Sequence, residues 1–307
     1  MKIIFAGSPQ YALPSLQALA NGGKQVVAVV TQPDKAIGRK AQLTPTPIKQ
    51  WALEHGISVY DWPKIGEHVD DLRAIGADIM ITCAYGQILN KGVLSSFSGG
   101  IWNLHASLLP KYRGASPIQS AILAGDEYTG VTVMKTEQEL DSGDILLVKR
   151  CKVDNLTCGE LSERLSHLSA EAAVEAVELL EGGQTQVMLQ DAAKVTYCKK
   201  IAKSDAKLNF ADTAQTAVRL IKAMSPSPAA YCMLGGVAIN IYDAELSDGD
   251  WDGDIGNVVA ADKKNGIVVK CGQGAIKITS AQLAGGKRLQ AADLINGRKI
   301  KVGDQLD

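Results

Sequence analysis

Short apolar runs alternate with longer amphipathic stretches through the first half of the chain. "KIIFAG" (residues 2–7) is a continuous apolar run closed by glycine, the pattern of a strand buried on both faces of a parallel sheet. Residues 13–20 then carry helical spacing, with Pro14 confined to the first turn. "VVAVVT" (26–31) predicts the next strand, and "PIKQWALEHG" (47–56) a helix with a proline start and a glycine stop. "ISVYDW", "DIMITCAYG" (78–86) and "GIWNLHAS" (100–107) add strands. "TGVTVMKT" and "DILLVKRCKV" alternate as a late, partly exposed pair. Strand–helix–strand repetition predicts an α/β fold with a mostly parallel sheet covered on both faces.

Residues 156–183 are a long helical pattern. Thr157 caps it, Glu160 completes a capping box, and Gly182–Gly183 stop it. The next stretch, 184–210, reads as a linker, with Lys194, Lys199, Lys200, Lys203 and Lys207 set against Asp191 and Asp205 on one basic, solvated face, and the domain boundary falls near 184–206. Beyond it the texture changes. One helix ("TAQTAVRLIKAMS") precedes "PSP", and short apolar alternations separated by Gly, Asp and Asn follow, which predicts a small barrel or sandwich.

Composition narrows the function. The chain has 307 residues, 46% of them hydrophobic and 21% charged, with a net charge of -1, so nucleic-acid contact requires local basic patches. No apolar run is long enough to cross a bilayer, and "MKIIFAGSPQ" lacks the longer apolar region of a signal peptide; a cytoplasmic protein is expected. The six cysteines form no CxxC pair, so idle thiols are expected, with neither disulfides nor a metal site. "FAGSPQYA" offers one glycine where a dinucleotide site needs G-x-G-x-x-G, and no Walker motif is present.

The chemistry gathers in two stretches. Asn103 and His105 are two positions apart on a strand and face the same way, near its carboxyl end, where open parallel sheets place their sites. Asp141 lies in "ELDSGDI", a turn just before a strand. A structural histidine bonded to backbone and a plain Asx turn are the bland alternatives. Together the three groups suit acyl transfer: an amide for a developing oxyanion, an imidazole for protons and a carboxylate to favour its charged form. No activated Ser or Cys is evident, which favours direct transfer to an amine.

"NLHASLLPKYRGASPIQ", with "LDSGDI" downstream, resembles the signature of the folate-dependent formyltransferases. "IIFAGSPQYALPSLQAL", "TQPDKAIGRKAQLTPTPIK", "AYGQIL", "VTYCKKIAKSDAKLNF" and "MSPSPAAY" resemble the branch of that family that acts on tRNA. The resemblance implies a Rossmann-like doubly wound catalytic domain at 1–184, a linker at 185–206 and an OB-like, tRNA-contacting β-barrel at 207–307. It implies transfer of the formyl group of 10-formyltetrahydrofolate to the α-amino group of methionine on initiator methionyl-tRNA, for translation initiation, by a monomer. A sugar-nucleotide N-formyltransferase using the same folate donor, or a non-catalytic tRNA- or folate-binding protein, are the alternatives.

By the same resemblance, Asn103, a protonated His105 and Asp141 are catalytic. Ser107, Leu108, Leu109 and Pro110 bind folate, with Tyr85, Gln87, Ile88, Leu89, Glu139 and Leu140 lining the pterin pocket. Glu139 stands where many relatives carry glycine. The stretch 34–49 looks like a basic loop reaching the acceptor stem of the tRNA, chiefly through Arg39, with Lys35 and Lys40 and, downstream, Lys200 and Lys203.

Overall fold

The computed structural model describes residues 1–37, 41–183 and 186–307. They form two compact units. The first comprises Met1–Pro117, Tyr128–Lys152 and Ser162–Cys198; the second comprises Ile118–Glu127, Val153–Leu161 and Lys199–Asp307.

The first unit follows the strand–helix alternation of the sequence. In chain order it runs β1 (Lys2–Gly7), α1 (Leu13–Asn21), β2 (Gln25–Val30), the hairpin β3 (Lys35–Ile37) and β4 (Gln42–Thr44), α2 (Pro47–Glu54), β5 (Ser58–Tyr60), α3 (Val69–Ala74), β6 (Ile79–Cys83), α4 (Lys91–Leu94), β7 (Ile101–His105) and the short β8 (Arg113–Gly114). After α5 (Pro117–Ala124) come β9 (Tyr128–Lys135), β10 (Ile145–Lys152), α6 (Cys158–Glu181) and β11 (Tyr197–Cys198). The main sheet has the order β10-β9-β7-β6-β1-β2-β5. Its pairs from β7 to β5 are parallel, and β9 and β10 are antiparallel.

Burial explains why these strands read so clearly. Ile3, Ile4, Phe5, Ala6, Val29, Val30, Met80 and Ile81 are all fully buried. Ile4, Ala6, Ala28, Val30 and Met80 share one cluster with Ile65, Leu72, Val93 and Phe97 from the connections. Each such aliphatic side chain stabilises by about 1.5–3 kcal/mol on leaving water.

Three expectations change. The late pair is not equally exposed, since β9 is buried along all but its end residues. The loop after β2 contains the β3–β4 hairpin, with exposed residues that give no periodic signal. The stretch read as linker is hydrogen-bonded into the first unit as far as Cys198: Met188 pairs with Ile145, and β11 pairs in parallel with β8.

In the second unit α7 (Ala214–Met224) is capped by Thr213, whose hydroxyl accepts from Thr216 N at 3.1 Å. An antiparallel sheet follows, built from β12 (Ala230–Leu234), β13 (Val237–Leu246), β14 (Val258–Asp262), β15 (Gly266–Lys270) and β16 (Ala275–Leu283). Its order is β12-β13-β16-β15-β14, and β17 (Leu289–Gln290), which leads into α8 (Ala291–Asn296), pairs with β16. The strands do not form a closed ladder among the described residues. Isolated bridges instead tie the end of β12 to Leu306 and Asn257, just before β14, to Gln305. Ile239, Ile241, Val269, Ile276 and Ile278 fill the core beneath α7.

Gly130 links fold to site. A Cβ built there lies 2.7 Å from Leu108 Cδ2 and closer still to the Lys149 carbonyl oxygen. Strand β9 therefore lets the 107–110 loop lie against it only while this position lacks a side chain. Gly130→Ala is expected to destabilise the protein by about 1–3 kcal/mol through overpacking, read as a lower midpoint in urea unfolding.

Candidate active site

Asn103 and His105 point from the same face of β7, and the neighbouring strands fix both. Thr82 is the register partner of Asn103 on β6, and its Oγ1 donates to Asn103 Oδ1 at 2.8 Å. The amide carbonyl is thereby occupied, which orients the amide hydrogens away from Thr82.

His105 is 6% exposed. Its Nε2 lies 3.0 Å from the Tyr112 carbonyl oxygen. A carbonyl only accepts, so Nε2 carries the hydrogen and Nδ1 holds the lone pair of the neutral ring. Nδ1 faces Asp141 Oδ2 at 3.7 Å, beyond hydrogen-bond distance. The same oxygen is already engaged: Oδ2 accepts from Gly114 N at 2.8 Å. Burial pulls the His105 pKa below the ordinary histidine value of 6.5, while the Asp141 charge and the Tyr112 carbonyl oppose the shift without reversing it. The lowered pKa favours the neutral ring before substrate binds.

The 107–110 loop is braced from within. Ser107 is fully buried and its Oγ donates to Lys111 O at 2.6 Å. Thr132, the register partner of His105, donates its hydroxyl to Ser107 O and accepts from Leu109 N at 3.1 Å. Leu109 packs with Met134 and Ile145. Leu108 lies over Gly130, and Pro110 O accepts from Thr196 N at 3.2 Å.

The other residues expected around the pterin are placed unequally. Gln87 spends its side chain on the fold, accepting from Ile65 N and donating to Trp62 O. Leu89 packs against the core that contains Tyr85. Tyr85 Oη is buried with no hydrogen-bond partner. Ile88 and Leu140 are exposed. Glu139 is exposed too, with Oε1 3.7 Å from Arg113 Nη1.

Of the residues expected to meet tRNA, Arg39 and Lys40 lie outside the described residues. Lys35 is exposed on β3 in the first unit; Lys200 and Lys203 are exposed in the second. The 34–49 stretch is closed at its base by Lys49, whose Nζ lies 2.7 Å from Asp34 Oδ1 and 2.8 Å from Asp61 Oδ2. The two carboxylates raise the pKa of that ammonium. Among the described residues no group of His, Cys, Asp and Glu could hold a metal ion, and no helix is long and apolar enough to cross a membrane. All six cysteines are free.

Sequence reasoning missed Thr82, Thr132, Arg113, Gln190 and Thr196. A threonine inside the apolar run "IMITC" was a usable signal for Thr82. Gln190 and Thr196 gave none, because they lie in the stretch that reads as linker.

The family model described as formyl transferase matches residues 1–177, and that described as formyl transferase, C-terminal domain, matches residues 200–299. The chain belongs to the formyl transferase family. Methionyl-tRNA formyltransferase of Ectopseudomonas mendocina (strain ymp) is 42% identical to it over 302 residues, 97% of this chain and 95% of that protein. Methionyl-tRNA formyltransferase of Lachnospira eligens (strain ATCC 27750 / DSM 3376 / VPI C15-48 / C15-B4) is 38% identical over 313 residues, 100% of this chain and 99% of that protein. Among solved structures, that of WlaRD, a sugar 3N-formyl transferase in the presence of dTDP and 5-N-formyl-THF, is similar in fold, with a TM-score of 0.70 at 19% identity over 94% of this chain and 99% of that one.

The charge state of His105 is open to direct measurement. By NMR its ring is expected to titrate with a midpoint below 6.5. Asp141→Asn removes the charge that favours the imidazolium and moves the midpoint lower still. A midpoint above 6.5, or an upward move in the variant, contradicts the assignment.

Proposed function

We propose that the protein transfers the formyl group of 10-formyltetrahydrofolate to the α-amino group of methionine on initiator methionyl-tRNA. The observation that carries this reading is the grouping of Asn103, the buried His105 with its Nδ1 toward Asp141, and Asp141 itself. The similarity to methionyl-tRNA formyltransferases over nearly the whole chain supports the acceptor.

The folate, when bound, supplies a one-carbon unit at the formyl oxidation level on a nitrogen that can leave. The residues present fit it: the partnerless Tyr85 Oη and the apolar Leu109–Met134–Ile145 cluster are an unspent donor and an unreactive backing for a heterocycle. Ser107 to Pro110 serve it through the shape of their braced backbone, and Ile88, Leu89, Glu139 and Leu140 through the pocket wall; Gln87 holds that wall in place.

The chain's own groups then divide the work. His105 Nδ1 accepts the proton that the substrate amine sheds as the new N–C bond forms, and the Tyr112 carbonyl keeps Nε2 from competing for it. Asp141 stabilises the imidazolium so produced. The Asn103 amide, held at its carbonyl by Thr82, donates to the oxygen on which negative charge develops. His105 returns the proton to the departing nitrogen. Burial lowers the ring's resting pKa, which keeps it ready as a base rather than already protonated.

In this reading the 34–49 stretch, with Arg39, Lys35 and Lys40, meets the acceptor stem. Lys200, Lys203 and the antiparallel sheet, read as an OB-like barrel, meet the tRNA elsewhere. The catalytic domain is the first unit, which runs on to Cys198, and the chain from Lys199 onward belongs to the second, tRNA-contacting unit; the protein acts as a monomer in the cytoplasm, where translation initiates. Phosphate contacts of this kind weaken steeply with salt.

Purified protein given 10-formyltetrahydrofolate and charged initiator tRNA is expected to yield formylmethionyl-tRNA, and to leave amino-sugar nucleotides unmodified. His105→Ala should lower kcat by about 10²–10⁴-fold with tRNA affinity nearly intact. Removing residues 35–44 should abolish turnover of tRNA. Formylation of an amino sugar alone, or normal turnover in His105→Ala, rejects the reading.

A further inference from the structure

The turn that presents Asp141 is held from outside itself. Asp141 sits in the left-handed region with φ 49°, a conformation that residues other than glycine seldom adopt. Two carbonyls of this turn are gripped by one amide: Gln190 Nε2 donates to Asp141 O at 2.9 Å and to Gly143 O at 2.8 Å. The other end of the same amide is fixed too. Gln190 Oε1 accepts from Arg113 Nε at 3.0 Å and from Arg113 Nη2 at 2.8 Å. Arg113 is buried and a guanidinium only donates, so it dictates which end of the Gln190 amide faces it. Nε2 is left as the end that meets the turn.

The stretch carrying Gln190 is itself secured on either side. Met188 N and O each pair with Ile145 at 2.8 Å, and Thr196 joins Pro110, Tyr112 and Arg113 through three hydrogen bonds. Both partners of His105 are consequently referenced to one segment, residues 112–114. Tyr112 O holds Nε2 directly, Gly114 N holds the Asp141 carboxylate, and Arg113 holds the Asp141 backbone through Gln190.

We infer that Gln190 is a positioning residue for formyl transfer: it touches neither substrate, and it fixes the separation between the Asp141 carboxylate and His105 Nδ1. The inference rests on the function proposed above. Displacing a catalytic group by about 1 Å can cost about a hundredfold in rate, and the clamp acts on that scale.

Two variants test it. Gln190→Met keeps the length of the side chain and removes every hydrogen bond. Gln190→Glu keeps an acceptor for Arg113 and replaces the two donations to the turn with a charged, acceptor-only oxygen. In both, kcat is expected to fall about a hundredfold while KM for folate and for tRNA stays within about twofold. In Gln190→Met, which adds no charge, the His105 midpoint seen by NMR should also move to lower pH, as Asp141 drifts away. A folded variant with unchanged kcat, a change confined to KM, an unmoved His105 midpoint, or unfolding of both variants overturns the inference. If the wild-type protein makes no formylmethionyl-tRNA, the proposed function fails, and the His105 midpoint in Gln190→Met still decides whether Gln190 positions Asp141.

Discussion

The hydrogen bond from His105 Nε2 to the Tyr112 carbonyl fixes the tautomer of the ring, and with it the atom that can act as a base. Everything else in the site is arranged around that choice. Strand β7 sets the height of the ring, and the 107–112 loop must fold back far enough to bring Tyr112 O to it. The Ser107–Lys111 and Thr132–Ser107 hydrogen bonds make that return path rigid. With Nε2 committed, the lone pair on Nδ1 faces a carboxylate that cannot donate to it. The pair is therefore idle until a proton arrives, and attractive as soon as one does.

This arrangement resolves an apparent conflict between burial and charge. A buried histidine is driven toward its neutral form, and a carboxylate beside it pulls the other way. Here burial prevails in the resting protein, and the 3.7 Å gap keeps the Asp141 influence from cancelling it. The carboxylate has a donor of its own in Gly114 N, at 2.8 Å. The ring nitrogen Nε2, the Asn103 carbonyl and the Asp141 carboxylate thus each have a partner in the folded protein. Fixed dipoles of this kind need little rearrangement when charge develops, which is the condition under which a dry site accelerates a polar reaction.

Much of this was legible in the sequence where the signal is local. Continuous apolar runs such as "KIIFAG" announce strands buried on both faces, and two-residue spacing puts Asn103 and His105 on one side of β7. The capping box at Thr157 and Glu160 is present as read, with Glu160 Oε2 2.8 Å from Thr157 N. What escaped reading depends on contacts between distant positions. Gln190 reaches a turn 49 residues earlier, and Thr196 meets Tyr112 N across 84. Their stretch is polar, short of periodicity and rich in lysine, so nothing local separates it from a solvated connection. The β3–β4 hairpin hid for a related reason: its exposed strand β4 buries no face, and burial is what imprints a period on a strand. The charge of His105 could not be read at all, because it follows from the walls built around the ring.

The same contrast bears on how such a site tolerates change. Groups recognisable from sequence, Asn103, His105 and Asp141, carry the chemistry, yet none of them sets its own position. Thr82 orients the first, the Tyr112 carbonyl the second, and Gly114 with Gln190 the third. Two of these restraints are backbone groups, which substitution alters only by moving the chain. Thr82 and Gln190 are side chains, and either can be lost while the recognisable motif stays intact. A chain of this family that keeps "NLH" and "LDSGD" can therefore lose precision without losing its signature. The hydrogen-bond partners of the motif are the places to look for that loss.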